Sequence, residues 1–194
     1  MKKKIALMVT SLVLVVAMAV GGTLAYLTSE TQEVKNTFTI GEIEITLDET
    51  DVDVLGVKDG DTRVTENGYK LIPGHKYVKD PTIHIKKADS AEYYLFVKVV
   101  NEITGIEAQD NTIAAQMTAN NWAALENANN AANVYSLTSA TPTTGDVPVF
   151  EEFTIDQNAN LDGYAGKTIT VTAYAVQKDN FASAAAAWNA TFGK

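Results

Sequence analysis

The chain has 194 residues, with 15 Lys and Arg against 24 Asp and Glu, a net charge of −9 at pH 7, and no cysteine. The acidic balance argues against nucleic acid or anionic lipid as a partner. The missing cysteine excludes disulfides, a thiol nucleophile and lipoprotein attachment, so the core and the hydrogen-bonded ladders must stabilise the fold.

The N-terminus predicts export. Lys2–Lys4 precede an apolar run, Ile5–Val20, and small residues follow, with Thr23 and Ala25 at the −3 and −1 positions. This layout is typical of a secretory signal peptide. A retained membrane anchor is the alternative, but a spanning helix needs about 20 apolar residues. We therefore predict a signal peptide over residues 1–25, cleavage between Ala25 and Tyr26, and contact with the membrane only through the uncleaved signal peptide.

Removal of residues 1–25 leaves 169 residues, which is enough for one domain with a core of its own. Three lysines are removed with the signal peptide, so the mature charge is 12 − 24 = −12. Residues 26–36 are mostly polar and lack glycine, proline and a helical period, which indicates an extended N-terminal arm. We predict that the folded domain covers residues 37–194.

Alternating apolar and polar residues predict the strands that follow. The first runs from Phe38 to Leu47, with a bulge at Gly41. An acidic, turn-rich stretch covers residues 48–65, with its clearest turn at Lys58–Asp61. Further strands are predicted over the following ranges: 79–86, 92–103, 133–139, 147–155 and 167–177.

The segment 92–103 combines aromatic and β-branched residues in a nearly continuous apolar run, which favours a central position in a sheet. A helix is predicted within residues 111–132, where Trp122 and Leu125 have helical spacing, and another over Phe181–Asn189, with Trp188 as its anchor. The fold prediction is a mostly β protein: an antiparallel β-sandwich of jelly-roll type with one or two short helices.

No motif for catalysis is present. The chain has two histidines, His75 in a Pro-Gly turn and His84 on the predicted solvent face of a strand, and no H-E-x-x-H segment. A metal site that assembles these histidines with a carboxylate is less favoured than two surface histidines. We predict no catalytic residue and no cofactor.

Two other features, an acidic run and a group of aromatic residues, are weak indications of a calcium site and a carbohydrate site. The acidic run Asp48, Glu49, Asp51 and Asp53 is a weak calcium candidate, because calcium prefers six to eight oxygen ligands, but its spacing is not that of an EF-hand. A solvated acidic turn is the preferred interpretation. The aromatic residues at 93, 94 and 96 suit either carbohydrate stacking or the core, and the core is favoured.

Several segments together resemble the TasA/camelysin family of proteins secreted by Gram-positive bacteria. Gly21–Thr28 is similar to that family's cleavage region, Asn36–Leu47 to its first strand, and Leu71–Asp80 to its L-x-P-G turn. The late segments Val171–Gln177 and Ala187–Trp188 also resemble family members.

The resemblance implies a jelly-roll sandwich, cleavage by a signal peptidase of the SipW type, and a structural role in the extracellular or biofilm matrix. It also implies self-association into fibres, or association with a related matrix subunit, in which the segment released by cleavage is donated as a strand to the neighbouring subunit. The donor residues carried over here are Tyr26, Leu27, Thr28, Ser29, Glu30, Thr31, Gln32, Glu33, Val34 and Lys35. Two alternatives are a monomeric surface binding module or adhesin, and a camelysin-type metallo-endopeptidase. The absence of a zinc motif favours a protein that is not an enzyme.

Overall fold

A computed structural model describes residues 43–88 and 92–194. The predicted signal peptide, its cleavage point at Ala25 and Tyr26, the arm 26–36 and the start of the predicted first strand at 38–42 lie outside the described residues. Within those ranges the elements follow in chain order as β1 Ile43–Val52, β2 Lys58–Val64, β3 Lys76–Val78, β4 Thr82–Ala88, β5 Tyr93–Asn101, α1 Ile113–Ala119, β6 Trp122–Ala124, β7 Val134–Leu137, β8 Gly145–Pro148, β9 Glu152–Thr154, β10 Ile169–Gln177 and α2 Ala184–Thr191.

The strands form two four-stranded sheets with the orders β2-β1-β4-β8 and β10-β5-β7-β6, and β3 pairs with β9. Every pairing is antiparallel. The chain passes from one sheet to the other between β4 and β5, between β7 and β8, and from β8 to β10 by way of β9, which produces connections of the kind that jelly rolls use. The prediction of a mostly β, antiparallel sandwich with one or two short helices is confirmed, and the described residues contain two helices.

Strand β5 lies between β10 and β7, which confirms its predicted central position. Its side chains alternate between two apolar environments. Leu95 and Val97 pack into the core between the sheets, whereas Phe96 packs beneath α2 with Trp188. A strand covered on both faces needs apolar residues at successive positions, which explains its continuous run. Tyr93 and Phe96 are buried in these two clusters, so the core interpretation of this aromatic segment holds for both.

Both helices begin at hydroxyl caps. The Thr112 side chain accepts a hydrogen bond from the Ala115 amide of α1, and Ser183 accepts one from Ala186 in α2. Trp188 anchors α2 in the core as predicted. The helix within 111–132 ends before Trp122, which begins β6 instead, because Asn121 has a φ of 65° and left-handed backbone stops a helix.

The prediction of turns over residues 48–65 was wrong for most of its length. β1 continues to Val52, and the predicted turn Lys58–Asp61 starts β2. Gly60 keeps turn-like backbone at a φ of 75°, and the β1–β2 register is irregular between Thr50 and Val52. Within β2, Arg63 contacts Asp48 of β1 and Asp80, whereas Lys58 and Asp61 pair with each other at the surface.

Candidate functional site

Two strand edges lie side by side at one end of the sandwich. Over Ile43–Asp48, β1 pairs with β4 only, because β2 covers β1 from Glu49 onward. Strand β10 pairs with β5 along all nine of its residues. Among the described residues nothing pairs with the opposite edge of β10 or of the first half of β1. These edges leave backbone N–H and C=O groups available to another strand.

The apolar side chains along these two edges are only half covered. Ile45 and Leu47 of β1 are half-buried, although their neighbours Ile83 and Ile85 on β4 are buried. On β10 the core-facing row is likewise half-buried, and it comprises Ile169, Val171, Ala173 and Ala175. The side of the sandwich between β1 and β10 can therefore accommodate further apolar side chains.

A cavity of about 990 Å³ opens between the two edges. We call it the edge groove. Its walls come from β1, from β10, from the segment between β2 and β3, and from the loop before β10. The residues that line it include Leu47, Glu49, Val64, Asn67, Tyr69, Leu71, Lys79, Ile103, Phe153, Leu161, Tyr164, Ile169 and Val171. The groove thus combines apolar walls with unpaired strand edges.

A buried ion pair lies in the wall of the edge groove. Lys79 Nζ is 2.6 Å from Glu49 Oε2, and the two side chains are 10% and 6% exposed. Asn67 donates to the other Glu49 oxygen at 3.0 Å. The Lys79 ammonium also lies 5.9 Å from the centre of the Tyr69 ring. Burial raises the pKa of Tyr69, and the negative charges of Glu49 and Asp80 raise it further.

The acidic run proposed as a weak calcium candidate is dispersed in the structure. Asp48 contacts Arg63 and His84, whereas Glu49 points inward to Lys79. Asp51 lies half-buried in β1, and Asp53 accepts hydrogen bonds from the amides that follow it in the β1–β2 turn, both at 2.9 Å. Adjacent residues of a strand face opposite sides of the sheet, so the run cannot converge on one ion.

The two histidines also lie apart. His75 Nε2 is 2.8 Å from the Leu55 carbonyl oxygen, and its ring packs edge-on against Tyr77. His84 lies on the outer face of its strand as predicted, but it is covered there, because Asp48 and Asp146 flank its ring and leave the side chain 15% exposed. Sequence reasoning missed both partners, since β1 and β8 are 36 and 62 residues away from His84 along the chain.

Within residues 43–88 and 92–194, these features define a class of protein: an antiparallel β-sandwich in which two strand edges without a described partner flank an apolar groove. The chain belongs to the camelysin family, since the family model described as camelysin metallo-endopeptidase matches residues 1–181. That family includes TasA-like proteins, and its members are secreted. No curated protein and no solved structure matched the chain. None of the helices in 43–88 and 92–194 has the length and hydropathy needed to cross a bilayer.

The family's description implies a catalytic metal. In residues 43–88 and 92–194 no three His, Asp or Glu side chains are grouped so that they hold a metal ion. Both histidines of the chain lie in this part, and each ring nitrogen of His84 already contacts a carboxylate. The described side chains do not fit a zinc centre, and we derive no catalytic step from them.

Proposed function

We propose that the protein is a secreted, non-enzymatic structural subunit of the extracellular or biofilm matrix, and that its subunits join by donating the arm Tyr26–Lys35 into the edge groove of a neighbour. The observation that carries the proposal is that, in the part of the chain that the structure describes, β10 and the first half of β1 each have one unpaired edge, with half-covered apolar rows between them. An extended segment from a second copy supplies backbone partners to such an edge by β-augmentation. A head-to-tail contact of this kind does not close on itself and produces a filament.

The size of the arm supports the proposal. Ten extended residues span at most about 33–36 Å, and the nine-residue β10 is roughly 30 Å long at a rise of about 3.3 Å per residue. The arm contains neither proline nor glycine, so each of its residues has an amide proton to donate to a ladder. Its apolar positions, which include Leu27 and Val34, provide side chains for the groove.

Cleavage after Ala25 provides the control step in this proposal. While residues 1–25 remain attached, the signal peptide ties the start of the arm to the membrane. A signal peptidase of the SipW type would release Tyr26 as the new N-terminus and free the arm for a neighbouring subunit. Polymerisation then retains the protein at the cell surface or in the matrix.

Removal of the arm tests the proposal directly. We expect the protein that starts at Tyr26 to form filaments visible by negative-stain electron microscopy, and the protein that starts at Asn36 to remain monomeric and folded. Circular dichroism and light scattering check the fold and the mass of the shortened protein. Filaments that persist without residues 26–35 would show that the arm is not the donor.

A peptide of sequence 26–35 separates strand donation from other uses of the arm. Added to the shortened protein, it should raise the Tm, because a ligand that binds only the folded state stabilises it. A matched peptide with Thr31→Pro should raise the Tm less, since proline removes a ladder donor, whereas Thr31→Ser should act like the unmodified peptide. Equal effects of the proline and serine peptides would exclude β-augmentation. An arm that folds back into the groove of its own chain would give a full-length monomer that does not respond to the peptide.

The family's description supports a metallo-endopeptidase as the second candidate function. Zinc content and casein hydrolysis of the mature protein, with and without a chelator, distinguish the two. Under the structural proposal we expect neither bound zinc nor chelator-sensitive hydrolysis.

A further inference from the structure

His84 connects three strands of one sheet through its imidazole ring. Its Nε2 is 2.8 Å from Asp48 Oδ1 on β1, and its Nδ1 is 2.6 Å from Asp146 Oδ1 on β8. Ionised carboxylates only accept hydrogen bonds, so the ring satisfies both contacts only when both nitrogens carry protons. The geometry therefore requires the imidazolium form.

The charged groups on the neighbouring strands, taken together, favour the imidazolium form of His84 over the neutral ring. Asp48 also accepts from Arg63 of β2, and Arg63 contacts Asp80, which lies just before β4, at 3.2 Å. With His84 protonated, the cluster contains three carboxylates and two cations. Burial disfavours the charged ring, but the hydrogen bonds and charges of Asp48 and Asp146 outweigh it and raise the pKa of His84.

We propose that His84 is a protonation-controlled latch that holds the edge strand β8 against β4. Asp48 has a second partner in Arg63, whereas the Asp146 side chain is 67% exposed and contacts His84. The two carboxylates therefore respond differently when the ring loses a proton. The neutral ring retains one donor, which stays on Asp48, and the ring lone pair then faces the Asp146 carboxylate at a distance suited to a hydrogen bond.

Strand β8 is the element that such a change releases. It has four residues, lies at the edge of its sheet, and ends at Pro148, which has no amide proton to donate. Besides its antiparallel pairing with β4, it is held by the burial of Val147 and by the hydrogen bond from Trp122 Nε1 to the Pro148 carbonyl at 3.0 Å. Loss of the Asp146 side-chain contact leaves the start of β8 held by the backbone pairing of Gly145 with Ile85 and of Asp146 with His84.

The sign of the pH dependence follows from the raised pKa. A group whose pKa is higher in the folded state stabilises that state fully below its unfolded value and loses this contribution as the pH rises through the folded value. The latch is therefore closed in mildly acidic solution and opens above the ordinary imidazole range, near pH 6.5. Opening exposes the β4 edge without unfolding the sandwich.

Two NMR measurements on the shortened monomer that starts at Asn36 test the latch, once its fold has been confirmed by circular dichroism. The variant His75→Asn leaves His84 as the sole histidine, and we expect its ring to titrate above the ordinary range. Amide exchange is followed as the ratio of β8 rates to β6 rates, so that the intrinsic effect of pH cancels. As the pH is raised from below the ordinary pKa to above the folded-state pKa of His84, that ratio should rise in total by about tenfold for each unit by which the folded-state pKa exceeds its ordinary value.

Matched variants distinguish a latch from a merely structural histidine. In Asp146→Asn the pKa of the His84 ring should be lower than in the parent, and the exchange ratio of β8 to β6 should depend less on pH. At acidic pH this ratio should be higher than in the parent, because β8 is held less firmly. In His84→Gln the ratio should be high and independent of pH. Titration of His84 in the ordinary range, or an unchanged pH dependence in Asp146→Asn, would overturn the proposal.

Discussion

Replacing Trp188 with alanine is expected to lower the free energy of unfolding by about 3–5 kcal/mol, the usual range for truncating a buried aromatic residue. The Trp188 ring packs against Phe96, Tyr174 and Phe192, with ring centres 5.2–5.4 Å apart. Its indole nitrogen also donates to the Asn129 carbonyl at 2.9 Å. Alanine removes the side chain that joins α2 to the outer face of β5 and β10, and the space it leaves is too well enclosed to close by small shifts.

Urea denaturation followed by circular dichroism measures this loss. The variant Trp188→Phe is the matched control, because it keeps an aromatic ring in the cluster and removes mainly the hydrogen bond, which contributes about 1 kcal/mol. An alanine variant within about 1 kcal/mol of the parent would mean that α2 contributes little to the stability of the sandwich. The other tryptophan, Trp122, lies in the main core and reports on that core by fluorescence in both variants.

Breaking the buried ion pair in the wall of the edge groove should have a comparable effect. We expect Lys79→Met to lower the free energy of unfolding by about 3–5 kcal/mol, because it leaves the Glu49 carboxylate buried without its cation. The double variant Glu49→Leu with Lys79→Met should recover most of this loss, since an apolar pair of similar volume avoids the desolvation of both charges. Thermal and urea denaturation of the single and double variants form a double-mutant cycle that measures the coupling.

The surface pair Lys76–Glu152 is the matched control for this cycle. Its atoms are also close, at 2.7 Å, but the Lys76 side chain is 62% exposed. Lys76→Met should therefore change stability by no more than about 1 kcal/mol. Similar losses in Lys76→Met and Lys79→Met would refute the argument that burial makes the second pair important.

The same double variant also reports on assembly, because Glu49 and Lys79 line the edge groove. If it is stable and still forms filaments, the ion pair serves the fold of the subunit. If it is stable and monomeric, the pair contributes to recognition of the arm. Electron microscopy of the mature double variant distinguishes these two results.

Elements whose pattern depends on nearby residues were predicted well. Strand β10 alternates cleanly from Ile169 to Gln177, and β5 has apolar residues on both faces, so each was located to within about two residues at either end. Helix α2 was predicted from its alanines and Trp188, although it begins at Ala184 rather than Phe181. Local periodicity suffices for these elements because each packs along its full length against apolar surface.

Elements stabilised by distant polar partners were missed. Strand β2 reads as a charged turn, but it pairs with β1, and its Arg63 contacts Asp48 on β1 and Asp80 before β4. In the sequence His84 likewise reads as a surface residue, because its partners Asp48 and Asp146 are distant along the chain. The predicted strands 79–86 and 147–155 each contain a break that the apolar pattern conceals: Pro81 precedes β4, and residues 149–151 separate β8 from β9.

The sequence by itself determined the acidic composition, the sandwich class and the positions of the most apolar strands, and it predicts an export signal. These properties depend on composition and on periods of two to four residues, which are visible along the chain. Only the tertiary structure decided which strand edges lack a partner among the described residues, which charges meet, and that a groove separates β1 from β10, strands more than 110 residues apart in the chain. Such features depend on register and on contacts between distant segments, and no local pattern of residues specifies them.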